Sequence, residues 1–206
     1  MAYSQHGEDL FIESKLSNIQ GSVLDVGAND GITYSNSRLF IEKYNWCAVL
    51  VEPTSKCIES LTKLYSDHDN VMIYPYGIDE VERETEIYLG NLEPDTINQV
   101  STMLEHERQY WERSRNVHYD TEIIKTKTVG QLIADANIDH YNIISIDTEG
   151  KDILILQQLY QLGFRPEYYI IEHNSVPETI AAIHEICLSE YNLVWQNTIN
   201  FILEKR

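Results

Sequence analysis

The segment 145–156, "SIDTEGKDILIL", sets Asp147, Glu149 and Asp152 directly behind the apolar run 143–146, with Lys151 as the only basic residue among them. A second apolar run, 168–171, ends in Glu172, His173 and Asn174. Acids gathered in one place raise one another's proton affinity, which suits a general base. Their repulsion is relieved when a cation sits among them. Asp147, Glu149, Glu172 and Asn174 make an all-oxygen set that would suit magnesium or calcium. A plainer reading has Glu149 and Asp152 offsetting the dipole of a helix that opens near Gly150. That reading is preferred for Asp152, whereas Asp147, placed ahead of the helix, is read as functional. His173 is either a proton acceptor titrating near neutrality or a strand-end histidine bonded to the backbone.

A second cluster of signals lies in "VLDVGANDGITYSN", 23–36, which reads as a strand, a turn and the opening of a helix. Gly27 and Gly31 permit positive φ or close approach of a ligand to the main chain. A dinucleotide fingerprint needs glycine at the first, third and sixth positions, and counting from Gly27 the third is Asn29 and the sixth Ile32. Nicotinamide and flavin cofactors are therefore disfavoured. Glu52 ends the next apolar run 25 residues after Gly27 (52 − 27), where a carboxylate can accept both hydroxyls of an adenosine ribose.

These residues need a frame that brings strand ends together. Short β-branched runs at 22–26, 47–52, 71–75, 142–147 and 168–172 alternate with segments of helical period at 34–44, 55–66, 150–161 and 177–190. That alternation is the pattern of a parallel sheet covered by helices on both faces, with ligands held beyond the carboxyl ends of its strands. The middle, 79–128, interrupts it with a strand at 86–90, a polar stretch "NLEPDTINQ", a helix over 98–115 and an extended run "EIIKTKT". It reads as an insertion over one end of the sheet. Tyr110 and Trp111 there are either lid residues over an acceptor or the buried stripe of that helix. The closing "YNLVWQNTINFILEKR" carries a hairpin signal that adds an antiparallel strand.

Residues 1–206 are treated as one domain, since the length favours a single well-buried core. Against 15 Lys and Arg stand 33 Asp and Glu, a formal net charge of −18 that repels phosphate backbones and anionic bilayers. No nucleic-acid or membrane partner is expected. Cys47, Cys57 and Cys187 lack paired spacing, so neither a disulfide framework nor a cysteine metal site is indicated. With no basic and apolar leader and no membrane-length apolar stretch, a cytoplasmic location is expected.

The segments "SQHGEDLFI", "LDVGANDGITYSNS", "VEP" and "SIDTEGKDILIL" resemble the signature segments of the FkbM-type methyltransferases, a branch of the class I S-adenosylmethionine-dependent enzymes. The resemblance runs from about residue 3 to the C-terminus and is weakest over 79–122, where acceptor recognition would fall. It implies a Rossmann-like, mostly parallel seven-stranded sheet whose last strand is antiparallel. It also implies that Asp25, Gly27, Asn29 and Gly31 line the methionine side of the cofactor, with Ala28, Ser35 and Asn36 in the same motif. Glu52, followed by Pro53, would hold the ribose, and Gly77 and Ile78 would approach the adenine. Gln5 and Glu8 belong to an N-terminal segment, 1–20, that closes over the site. Asp147, Glu149, Glu172 and His173 are then the expected catalytic residues, with Asp147 also touching the cofactor. The activity implied is methylation of a hydroxyl on a small molecule or glycan. The alternatives are a non-catalytic adenosine-binding module, or another Rossmann enzyme that uses Glu52 for a different ribose.

Overall fold

The computed structural model describes residues 2–17, 20–92, 97 and 99–206. In chain order the elements are α1 (Glu8–Glu13), β1 (Ser22–Val26), α2 (Arg38–Tyr44), β2 (Cys47–Val51), α3 (Ser55–Leu64), β3 (Val71–Tyr74) and β4 (Gly77–Ile78). These are followed by β5 (Arg83–Gly90), α4 (Glu105–Arg115), β6 (Tyr119–Lys127), α5 (Val129–Ala136), β7 (Ile143–Ile146) and α6 (Asp152–Gln161). The chain closes with β8 (Tyr168–Glu172), α7 (Pro177–Cys187), β9 (Tyr191–Gln196) and β10 (Asn200–Lys205). No helix among the described residues is long and apolar enough to cross a membrane.

Seven strands form one sheet in the order β3-β2-β1-β7-β8-β10-β9. The first five run parallel, and β10 enters antiparallel to both β8 and β9. Strand order reverses between β1 and β7, so the loops after these two strands diverge and leave a crevice. Strand residues point alternately to the two faces, and both faces are buried. Leu24, Val49, Ile144 and Ile171 pack under α5, α6 and α7 in one core. Val23, Leu50, Ile143 and Ile170 pack with Ile12, Phe40 and Leu61 of α1, α2 and α3 in the other. The apolar strand runs are continuous because neither face meets water.

The insertion is a second sheet of order β4-β6-β5. The helix expected over 98–115 begins only at Glu105; residue 98, its expected start, and residues 93–96 of the polar stretch lie outside the described set. A turn at residues 99 and 100 and an isolated bridge at Thr102 stand there instead, because Val100 N–H bonds Gly90 and Thr102 exchanges backbone bonds with Tyr88. The short α1 and β4 and the eight-residue α5 were not anticipated. α5 does carry a sequence signal in its capping box, in which Thr128 accepts from the Gln131 backbone and the Gln131 side chain from Thr128 N–H. Lys151 fastens the insertion to the main sheet through its 2.8 Å contact with the buried Asp79.

Candidate active site

One cavity gathers the carboxyl ends of β1, β2, β7 and β8 with the start of β10, and the insertion covers it. Of the residues singled out in the sequence, Gln5, Asp25, Gly27, Ala28, Asn29, Ser35, Asn36, Glu52, Pro53, Gly77 and Ile78 line it. So do Asp147, Glu149, Glu172 and Asn174. Five carboxyls therefore face this space, and among the described lining residues none is Lys, Arg or His.

Gly27 makes the close approach possible. Its φ is +89°, and a Cβ there would stand 1.7 Å from the backbone oxygen of Asp147, so the first residues past β1 and β7, before the loops part, can lie side by side only if this residue has no side chain. Beneath it the buried Asp25 accepts Ser37 Oγ at 2.6 Å, and Asn36 Nδ2 donates to Ser145 Oγ at 3.1 Å. Burial raises the Asp25 carboxyl above its ordinary range, against the hydrogen bonds from Ser37 and Ser145.

Glu52 marks one end of the cavity. Its Oε1 accepts Thr54 N–H at 2.9 Å and Thr54 Oγ1 at 2.6 Å, and Oε2 accepts Asn29 N–H at 3.2 Å. Each carboxylate oxygen has two acceptor directions, so Oε2 keeps one for a ligand. Burial raises this carboxyl too, opposed by those same donors.

The other end holds Asp147, Glu149 and Glu172, each with a carboxylate oxygen within 4.8 Å of the others. Burial, then the charges of Asp152 and Asp25, push the Asp147 carboxyl up to about 7, with a hydrogen bond to Glu172 working the other way. Glu149 is driven well up by burial and then by Asp147 and Asp152, and Glu172 by burial and then by Asp147 and Glu149. Lys151 offers no relief, since it turns to Asp79. Asp152 stands apart from this group: its oxygens accept Thr148 N–H at 2.9 Å and Gly150 N–H at 3.1 Å, which shapes the turn before α6. The structural reading of Asp152 thus holds, through the turn rather than through the helix's own first amides.

Three expected site residues do not line the cavity. Glu8 is fully buried one layer behind, accepting Asn200 Nδ2 at 2.9 Å and Asn197 Nδ2 at 3.2 Å. Gly31, at φ +74°, faces Leu61, Leu64 and Tyr65, so it packs the turn against α3. His173 accepts Ser175 N–H on Nδ1 and packs its ring 4.0 Å from that of Phe201, which is the backbone-bonded alternative. Its backbone sits at the strand end while the side chain points into the core. Trp111 lines the cavity and Tyr110 lies exposed, so α4 covers the site with one aromatic and has no buried stripe. Asn200, Thr148 and Tyr34 also line the cavity and were not anticipated. The only trace of Asn200 in the sequence is the hairpin turn it closes.

The family described as "Methyltransferase FkbM domain" matches residues 25–194. The chain belongs to the FkbM methyltransferase family. It is similar to the crystal structure of an FkbM methyltransferase from Methylobacillus flagellatus KT, at a TM-score of 0.57 and 14% identity, over 99% of this chain and 48% of that one. The chain thus spans about half the length of that family member. It is also similar to the METTL16 MTase domain, with a TM-score of 0.53 and 11% identity over 95% of this chain and 64% of that one. A fibrillarin/Nop5p complex gives 0.52 and 12% over 98% and 81%. These likenesses concern the fold. No curated protein matches the sequence. Within the FkbM family frame, the cavity at the β1/β7 crevice occupies the position where open α/β sheets take their ligands.

Proposed function

We propose that this FkbM family member transfers a methyl group from S-adenosylmethionine to a hydroxyl of a small molecule or glycan, with the cofactor lying from Glu52 across Gly27 to Asp147. The observation that carries this reading is the lining: five carboxyls and no basic side chain among the described residues of the cavity. A phosphate-bearing cofactor would meet only repulsion here, which speaks against a nucleotide-sugar or dinucleotide enzyme. A sulfonium carries positive charge and no phosphate. The donor set fits it, because Glu52 retains a free acceptor direction toward the cavity and the Gly27 turn leaves the main chain bare beside it.

Bound there, S-adenosylmethionine supplies a methyl group whose carbon–sulfur bond breaks as the acceptor's oxygen–carbon bond forms, the electron pair staying with sulfur. The chain's contribution is placement and proton transfer. Glu52 fixes the ribose, and the loops after β1 and β7 set the direction of the reacting end. Asp147, Glu149 and Glu172 stand where the acceptor must approach, and one of these carboxylates takes the hydroxyl proton. Trp111 and the insertion exclude water from that end.

Calorimetric titration with S-adenosylhomocysteine tests the cofactor half; we expect one site, and folded protein that ignores millimolar ligand rejects the reading. Labelled methyl transfer to a panel of hydroxyl and amine acceptors tests the other half. Transfer to amines alone would reject O-methylation, and binding without any transfer would favour the non-catalytic module.

A further inference from the structure

Asn200 opens β10 as the cross-strand partner of Glu172, and it lines the same cavity while only 3% exposed. Its amide nitrogen donates to Glu8 Oε1 at 2.9 Å. Glu8 Oε1 also accepts Asn197 Nδ2 at 3.2 Å and its Oε2 accepts His6 N–H at 2.9 Å, so this carboxylate stands as an acceptor on both oxygens. The amide must therefore give its N–H to Glu8 and turn its oxygen away. That oxygen, Oδ1, has no hydrogen-bond partner among the described residues. An unpartnered buried acceptor, fixed in orientation by a carboxylate and carried on the strand partner of Glu172 in a cavity that Asp147 and Glu149 also line, calls for a ligand with positive charge or a donor.

We propose that Asp147, Glu149, Glu172 and Asn200 Oδ1 form a site for an oxygen-preferring divalent cation at the acceptor end of the cavity. Two oxygens on one ion lie at most twice the metal–oxygen distance apart, about 5 Å for calcium and about 4.2 Å for magnesium. The ligand oxygens of the three acids lie within 4.8 Å of one another, inside the calcium limit. The set mixes three anionic oxygens with one neutral amide oxygen, and it contains no nitrogen or sulfur ligand, which is the hard chemistry such ions select. Glu8 acts as a positioning residue, because it takes the amide N–H and leaves the oxygen end for the ion. The site stands without the methyl-transfer reading. Given that reading, the cation sits where an acceptor hydroxyl would be bound and made more acidic.

The test uses the full chain stripped with chelator, with no methyl donor, titrated with calcium chloride by calorimetry and with terbium chloride by luminescence. Trp111, whose buried indole N–H has no partner of normal geometry and lies in the electrostatic reach of Glu149, is the expected sensitiser. We expect one saturable site, weakened about 10- to 100-fold by Glu172→Gln and by Asn200→Leu. An exposed control, Glu84→Gln, should leave it unchanged. Trp111→Phe should abolish the sensitised emission and keep the calorimetric binding. No saturable binding at millimolar ion overturns the proposal, and so does binding indifferent to Glu172→Gln and Asn200→Leu, which would be diffuse attraction to a chain of net charge −18. If those variants fail to fold, unchanged emission in Trp111→Phe overturns it as well. Competitive displacement of calcium by S-adenosylhomocysteine would assign the acids to the cofactor's amine and overturn it too. Since S-adenosylhomocysteine binding is measured separately, failure here and failure of the methyl-transfer reading are read independently.

Discussion

The acids of the cavity are held in a state that favours ligands over stability. Glu52 is the clearest case, because its carboxyl is raised by burial while its partners are neutral donors. A carboxyl raised in the folded state binds its proton more tightly there than in the unfolded chain. Its contribution to stability is full below the ordinary value of 4.5 and is lost as pH rises through the folded value. Glu52→Gln removes that titration, so the melting temperature of the variant minus that of the wild type should climb from pH 4.5 to pH 8 in ligand-free thermal scans. A flat or falling difference would contradict the burial argument. The same variant should bind S-adenosylhomocysteine about 10- to 100-fold more weakly, the scale of one or two charge-assisted hydrogen bonds. At the other end, Asp147→Asn should lower turnover by about 10²- to 10⁴-fold with ligand binding retained. Turnover within tenfold of wild type would remove Asp147 from the proton path. Asp147 and Glu52 were legible in the sequence because each ends an apolar strand run, and such positions meet in a parallel sheet. His173 ends the same run as Glu172, but successive strand residues point to opposite faces, and only packing shows which face is which.

Among the elements, the loops that end the central strands carry the strain. Asn29 after β1, Glu149 after β7 and Asn174 after β8 all have positive φ, at 48°, 53° and 45°, and all line the cavity. Asparagine tolerates that region; glutamate does not, at about 1–2 kcal/mol. Replacing Glu149 by Gln or by Gly removes the same charge, but only Gly relieves the backbone. Glu149→Gly should therefore melt above Glu149→Gln by the equivalent of about 1 kcal/mol, roughly 2–4 °C for a domain of this size. Equal melting temperatures would show that the loop is unstrained. The insertion is held by different means. Thr102 Oγ1 donates to the Glu149 carbonyl at 2.8 Å, and Lys151 reaches Asp79, which also pairs with Arg83. Because Arg83 remains, Lys151→Met should cost about 1–2 kcal/mol by chemical denaturation rather than the full loss of a buried pair. A loss below a few tenths of a kcal/mol would mean that the tie is dispensable. The insertion was the least legible part of the sequence. Its strands are only half-buried and its helix has no buried residue, so neither period stands out.

At the scale of the molecule, the excess of acids is distributed over the surface and gathered in the cavity. A net charge of −18 repels itself, and the repulsion weakens as the screening length falls from about 10 Å at 0.1 M salt to about 3 Å at 1 M. The melting temperature should rise with sodium chloride over that range; a fall would mean that its ion pairs outweigh the repulsion. By the same charge, filter binding to RNA at low salt should show no retention, and salt-sensitive retention would expose a local basic face that the mean charge hides.

The sequence by itself determined the sheet, the crevice and the strand-end acids of the cavity, because these follow from hydrophobic period, glycine placement and the rule that parallel strands deliver their ends to one edge. Gln5, Ser35, Asn36, Gly77 and Ile78 were placed in the lining by the family resemblance alone. Tertiary structure decided what depends on contacts between distant segments. Glu8 and Asn200, 192 residues apart, meet only when α1 folds against the start of β10, and that meeting takes up the amide N–H and leaves the amide oxygen without a partner among the described residues. It likewise turned Gly31 toward α3 and His173 toward Phe201, since the direction of a side chain at a strand end or in a turn is set by the layer that packs on it, which no local pattern of residues encodes.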